Sequence, residues 1–205
     1  MSSNRPRRPR ADAQRNAELL LVAAEAAFRE HGVDAPLEQI ARRAGVAIGT
    51  LYGHFPNRRV LLGALLRERN EALFALGDRL LELPPQEAEE EALAAWLRAV
   101  ADHAAAYQGL AGVLVDGLDD EASELHTSCV RMTAIGERIV ERARASGAIR
   151  ADVTGNDVFA LMNAAAWLRG HGSAEQADRL LTFAVAGMRP APAGPGEVNG
   201  SIVEQ

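Results

Sequence analysis

Apolar residues recur along this chain at three- and four-residue intervals and nowhere in sustained alternation with polar ones, so the pattern predicts helices and no strands. The first helix is expected from about residue 12 to 31, with Ala17, Leu20, Leu21, Ala24, Ala27 and Phe28 on one face and Gly32 ending it. Residues 37–59 (LEQIARRAGVAIGTLYGHFPNRR) read as two short helices across a tight turn. Leu37, Ile40, Ala41 and Ala44 line the first; Gly45 stands where a left-handed backbone angle is needed; Val46 and Leu51 plug the angle between the two. Asn57 caps a long fourth helix reaching about residue 83, with a stripe of Leu62, Leu65, Leu66, Leu73, Leu76 and Leu80. Pro84 and Pro85 break the pattern. A fifth helix over 86–107 carries Leu93, Trp96, Val100 and Tyr107, and a short apolar sixth lies between Gly109 and Gly117. The seventh, over 120–146, turns Leu125, Cys129, Met132, Ile135 and Ile139 inward. Thr154 with Asp157, and Ser173 with Gln176, resemble capping boxes that open an eighth helix to about 169 and a ninth to about 188. The expectation is an all-α chain of about nine helices.

Two short helices, a turn glycine and a small crossing residue, flanked by arginines, make a helix-turn-helix of the kind that enters a DNA groove. LYGHFPNRRVLL resembles the end of the recognition helix and the start of the fourth helix in TetR-type bacterial transcriptional regulators. LLLVAAEAAFREHGVDAPLEQIARRAGV resembles the first two helices of that family, so the likeness covers about residues 15–66. Beyond residue 70 only the number and order of helices fit. The resemblance implies a three-helix DNA-binding head over 11–56, joined through the fourth helix to a ligand-binding and dimerisation domain over 57–188. Residues 1–10 are expected to be a disordered basic arm and 189–205 a disordered tail rich in Pro and Gly.

Composition alters the picture in one respect. The net charge of -6 argues against a nucleic-acid partner until the chain is divided. Residues 1–70 hold 12 Arg against 7 acidic residues, a balance of +5, whereas the remainder holds 10 against 21, a balance of -11. A basic head on an acidic body suits a two-part DNA-binding protein. Cys129 is the only cysteine, so no intrachain disulfide can form. No apolar run is long enough to span a membrane and no leader peptide is recognisable, which leads to the expectation of a cytoplasmic protein without membrane contact.

Phosphate contacts set register and base-edge contacts select sequence. The resemblance implies phosphate contacts from Tyr52, His54 and Arg58; the plainer alternative for Tyr52 is partial burial between helices. Thr50 suits phosphate or base. Two departures from the family pattern stand out. Ala47 occupies the position before the recognition helix where Ser is frequent, which removes a side-chain cap. Ile48, Gly49 and Gly53 stand where polar or basic residues commonly read bases and make no bidentate hydrogen bonds. Ile48 suits a thymine methyl, and the glycines allow close approach. Base reading is left to Thr50, Arg43 or the N-terminal arm.

In the body, the resemblance implies a homodimer on a palindrome-like site. The faces offered are Val158, Leu161, Ala165 and Leu168 on the eighth helix and Leu181, Ala184, Val185 and Met188 on the ninth; by pattern alone they serve equally as monomer core. A small-molecule effector site is implied among the helices, with Trp96, His103, Tyr107, Cys129, Met132, Thr133, Phe159 and Asn163 as candidates. A core histidine and a buried, inert thiol are the plainer readings of His103 and Cys129. No cofactor, metal-ligand spacing or nucleophile motif is found, so an enzyme is not expected. The function expected is a ligand-responsive regulator, most simply a repressor that binds double-stranded DNA. The alternative is an all-helical ligand-binding or interaction protein whose head has lost specific DNA recognition.

Overall fold

The computed structural model describes residues 7–84, 89–116 and 124–191. Among them regular structure is helical: α1 (Arg7–His31), α2 (Leu37–Ala44), α3 (Ile48–His54), α4 (Arg58–Glu82), α5 (Glu89–Ala104), α6 (Leu110–Asp116), α7 (Glu124–Ala145), α8 (Gly155–His171) and α9 (Ala174–Gly187). Three boundaries differ from expectation. α1 begins at Arg7 rather than near Asp12, so residues 7–10 are helical rather than disordered. Pro9 falls in the first turn, where the missing N–H has no intrahelical partner in any case. α5 stops at Ala104, and Tyr107 belongs to the loop that follows. Arg189, placed in the disordered tail, is held by a two-pronged pair with Glu90, both N···O distances 2.7 Å. The remaining expectations for 1–6, 85–88, 117–123 and 192–205 fall outside the described residues.

The caps read from the sequence form. Asn57 accepts from the Val60 amide, Ser173 from the Gln176 amide, and Thr154 with Asp157 makes a reciprocal capping box. Gly45 adopts φ +71°, with its amide and that of Val46 satisfying the last carbonyls of α2. Ala47, before α3, has no side-chain cap.

α4 is buried on more than one side: Leu61, Leu62, Leu66, Leu73 and Phe74 are all inaccessible or nearly so. It runs through two apolar clusters. One gathers α1–α3 and the first half of α4 around Phe28, Ile40, Leu51 and Leu62, and is completed by Tyr107, Leu110 and Leu125. The head is therefore not closed at residue 56; residues from α6, α7 and the α5–α6 loop finish its core. The second cluster gathers the far half of α4 with α5, α7, α8 and α9 around Trp96, Ile135 and Leu181. Trp96 is wedged between two glycines. A Cβ on Gly77 would lie 2.5 Å from Ile135 and 2.9 Å from the indole, and one on Gly136 would lie 3.0 Å from the indole nitrogen. Arg142 closes the junction of α4 and α5: its guanidinium donates to the carbonyls of Leu81 and Leu83 and to the buried Glu89 carboxylate, 2.7 Å away.

Candidate nucleic-acid interface and ligand cavity

α3 is fixed from within by Leu51, which is fully buried, and by Phe55 just past its end. Its other face is bare: Ile48 is 37% exposed and Tyr52 44%, with Gly49 and Gly53 beside them. Tyr52 therefore stands outward rather than sandwiched between helices. Thr50 and His54 are half-buried at the flanks. A Cβ on Gly49 or Gly53 would meet nothing within 4 Å, so the protein itself does not require glycine there.

The two arginines singled out for DNA are engaged within the head. Arg43 forms a two-pronged pair with Glu30 at 2.7 and 2.8 Å, tying α2 to the end of α1. The exchange of hydrogen bonds holds the Glu30 carboxyl below and the Arg43 guanidinium above their ordinary values. Arg58 donates through one nitrogen to the carbonyls of Val33 and Ala35 in the α1–α2 loop, the latter at 2.6 Å. That nitrogen locks the start of α4 to the loop and is not available to a phosphate. The sequence carried no sign of this, because the acceptors are backbone carbonyls 23 and 25 residues away.

The same loop is clamped to the body. The Val33 amide donates to the Gln108 carbonyl at 2.9 Å, the Tyr107 hydroxyl donates to Glu25, and the Tyr107 ring packs edge-on against Phe28. Burial and the neighbouring Glu25 carboxylate push the Tyr107 phenol above its ordinary range. Gly32, at φ +73°, allows the close approach; a Cβ there would lie 2.8 Å from the Gln108 oxygen. α6 follows immediately, so the head loop, the α5–α6 loop and α6 are mechanically continuous.

α6 also forms one wall of a cavity of about 300 Å³ between α5, α6, α7 and α8. Cys129, Met132, Thr133, Phe159 and Asn163, expected as ligand residues, all line it. Trp96, His103 and Tyr107 do not. Trp96 fills the space between α4 and α7, Tyr107 serves the clamp, and His103 is buried beside an open groove between α4 and α5 that Arg69 and Leu76 also line. Helical spacing puts Trp96 and His103 on one side of α5, but Trp96 faces α4 and α7 and His103 the groove beside α4, while Tyr107 lies beyond the end of α5 and turns to the head. Lining residues missed in the sequence include Ala111 and Leu114 on α6 and Glu137 and Val140 on α7. Which wall of α7 faces α8 is set by packing and has no local signal. The Cys129 thiol, 7% exposed and pushed up to about 11 by burial, donates weakly to the Leu114 carbonyl. A thiol so protonated is a poor redox sensor.

The dimer residues also need correction. Val158, Ala165, Leu181 and Val185 are at most 3% exposed within the single chain, and Leu161, Leu168, Ala184 and Met188 are half-buried. The four buried residues, with Leu161 and Met188 packed against them, belong to the monomer core. The outward apolar groups of these helices are Trp167 (60% exposed), Leu180 (42%) and Phe183 (68%), beside the small Ala164, Gly170, Ala186 and Gly187. Arg169 holds the pair together from below, bridging Asp102 on α5 and Asp178 on α9.

Among the described residues no helix is long and apolar enough to cross a membrane, and no three His, Cys, Asp or Glu side chains gather as a metal site. Comparison with known proteins agrees with this architecture. Residues 20–65 match the family model for bacterial regulatory proteins of the tetR family, and residues 88–190 match the SbtR-like transcriptional regulator C-terminal domain. The chain is 31% identical over 139 residues to the uncharacterised HTH-type transcriptional regulator TtgW of Pseudomonas putida, covering 67% of this chain and 98% of that one. A TetR transcriptional regulator of Streptomyces coelicolor superposes with a TM-score of 0.57 at 34% identity, over 86% of this chain and 99% of the other. The ketosteroid transcriptional regulator KstR2 of Mycobacterium tuberculosis shares the fold, with a TM-score of 0.61 at 20% identity over 85% and 95% of the two chains. With its helix-turn-helix head and the order of nine helices among its described residues, this chain belongs to the TetR family of bacterial transcriptional regulators.

Proposed function

We propose that the protein is a ligand-responsive repressor in the bacterial cytoplasm, binding a palindrome-like operator as a homodimer and released by a small molecule. The observation that carries the DNA reading is the bare outer face of α3. Ile48, Gly49, Tyr52 and Gly53 are exposed while Leu51 anchors the opposite side, so the helix is held in place with this face uncovered among the described residues. Tyr52, His54 and Thr50 serve phosphates or base edges beside the groove, and Ile48 a thymine methyl. Ala47 opens the helix without occupying its amides. Arg58 acts as a positioning residue, and Arg43 reaches DNA only by leaving Glu30.

Two heads must sit about 34–36 Å apart to read successive turns, and the exposed Trp167–Phe183 face supports a second copy as the partner. The cavity supports an effector. Its α6 wall adjoins the clamp on the α1–α2 loop, so displacement of α6 reaches the head at Val33 and through it Arg58. This route runs alongside the long α4. The effector must prefer the released arrangement, since equal affinity for both shifts nothing.

The test is selection of duplexes from a random pool, followed by titration of the selected duplex with salt and then with candidate metabolites. Log affinity is expected to fall linearly with log salt, each neutralised phosphate contributing about -0.9 to the slope. A pool that yields no enriched sequence favours the second reading, a helical ligand-binding protein whose head no longer selects DNA. Ala47, Ile48, Gly49 and Gly53 are the residues that support it.

A further inference from the structure

We propose that the cavity takes an amphiphilic cation, its apolar body filling the floor and its charged head lying at the mouth beside Glu137. This rests on the reading of the cavity as the effector site. The floor is apolar: Met132 and Val140 from α7 and Val158 from α8 are buried, with Phe159, Met162 and Leu114 closing the sides. The exposed lining residues Thr133, Glu137 and Asn156 form a polar rim. Polarity thus divides along the cavity, which suits a molecule with one apolar and one polar end.

Sign of charge narrows the class. Glu137 is the single ionisable acid or base among the lining residues apart from the Cys129 thiol, which burial keeps protonated. Among the described residues no Arg or His lines the cavity. A ligand carboxylate would meet a like charge at the rim, or would enter the floor with no donor of opposite charge, and burying an unpaired charge is strongly unfavourable. Glu137 is also free to act: among the described residues no guanidinium pairs with it, in contrast to Glu30, Glu89, Glu90 and Glu124, each of which binds an arginine. Its Cγ lies 3.5 Å from the Cβ position of Gly155, so the side chain reaches across the mouth from α7 towards the start of α8. An uncharged apolar molecule would fill the same floor and leave that carboxylate unused. Because Glu137 is exposed to solvent, its attraction is screened and the selectivity it gives is modest and salt-dependent.

The experiment uses three probes with one decyl tail: decyltrimethylammonium, decanol and decanoate. Binding is measured by titration calorimetry at low and high salt. Occupancy is read independently from the rate at which iodoacetamide alkylates Cys129, the sole cysteine and a cavity wall. The cation is expected to bind about tenfold more tightly than decanoate at low salt. That preference should collapse at high salt and in Glu137→Gln, an exposed and near-isosteric change, while decanol binds both proteins equally. Bound probes should slow alkylation. Equal or tighter binding of decanoate would overturn the cationic class, and a cation preference that survives in Glu137→Gln would overturn the role given to Glu137, while Cys129 protection still upheld the cavity. If no probe binds and alkylation proceeds at the free rate with each, the cavity itself fails as an effector site.

Discussion

At the scale of single residues, two glycines and one histidine carry consequences that can be measured. Gly49 and Gly53 lie four apart on the outer face of a seven-residue helix and have room for a side chain. Glycine costs a helix about 1 kcal/mol relative to alanine, so their presence is unfavourable to the fold taken alone. On the proposed DNA-binding reading, close approach of the α3 backbone to DNA accounts for it. Gly49→Ala and Gly53→Ala are therefore expected to raise the melting temperature yet weaken binding to a selected duplex about tenfold. Unchanged affinity in both variants would show that the helix backbone keeps its distance from the groove. His103 makes the converse case, a polar group buried at cost. It is 3% exposed, its Nε2 has no partner, and burial with the nearby Arg69 holds its pKa down to about 4. In the unfolded chain it titrates near its ordinary value of about 6.5. The unfolded state then binds more protons between these values, so stability is complete above about 6.5 and falls as pH drops towards 4. The loss attributable to this group is on the order of 3 kcal/mol. Melting temperatures of the protein and of His103→Phe, compared from pH 7.5 to 4.5, should show the acid sensitivity shrink in the variant. Parallel curves would mean that His103 contributes no linkage.

At the scale of elements, the clamp between head and body is the decisive arrangement. α1 ends at Gly32 because only a residue without Cβ can reach φ +73° there while standing against the Gln108 carbonyl. That contact, the Val33 amide bond and the Tyr107 packing hold the α1–α2 loop, whose carbonyls in turn hold Arg58. Gly32→Ala should destabilise the protein by about 1–3 kcal/mol, the usual cost of a strained backbone angle. If the clamp transmits the effector's signal, the same variant should retain ligand binding but lose part of the ligand's effect on DNA affinity. Calorimetry for the ligand and fluorescence anisotropy for the duplex would separate the two. A coupling that survives intact in a destabilised variant would leave α4 as the working connection.

At the scale of the whole molecule, the exposed faces of α8 and α9 predict assembly. A folded chain gains little by leaving Trp167 and Phe183 in water, and their setting among small residues allows two helix pairs to approach closely. Phe183→Glu should yield a monomer with unchanged helical content and poor DNA binding, seen by light scattering and circular dichroism. Leu181→Glu, two residues earlier on the buried face, should instead unfold the body. A Phe183→Glu protein that remains dimeric would move the interface elsewhere.

What the sequence determined by itself is local. Helix order, the caps at Asn57, Thr154 and Ser173, the turn at Gly45 and the division of charge between head and body follow from spacings of a few residues, and so does the helix-turn-helix that identifies the family. Leu51 marked the buried face of α3 in the sequence, but partial burial of Tyr52 stayed open until packing placed it outward. The rest was decided by packing between distant segments. Two stripes on α8 and α9 compete for burial, and the bulk of Leu181 and Val185 fits the monomer core while Phe183 is left outside; periodicity ranks neither above the other. Trp96, His103 and Tyr107 were placed with the ligand residues, yet Trp96 packs into the space left by Gly77 and Gly136, His103 lies beside α4, and Tyr107, past the end of α5, reaches Glu25 in the head. Arg58 had the position of a phosphate contact, and only the folded loop, presenting two carbonyls within its reach, gave it another partner.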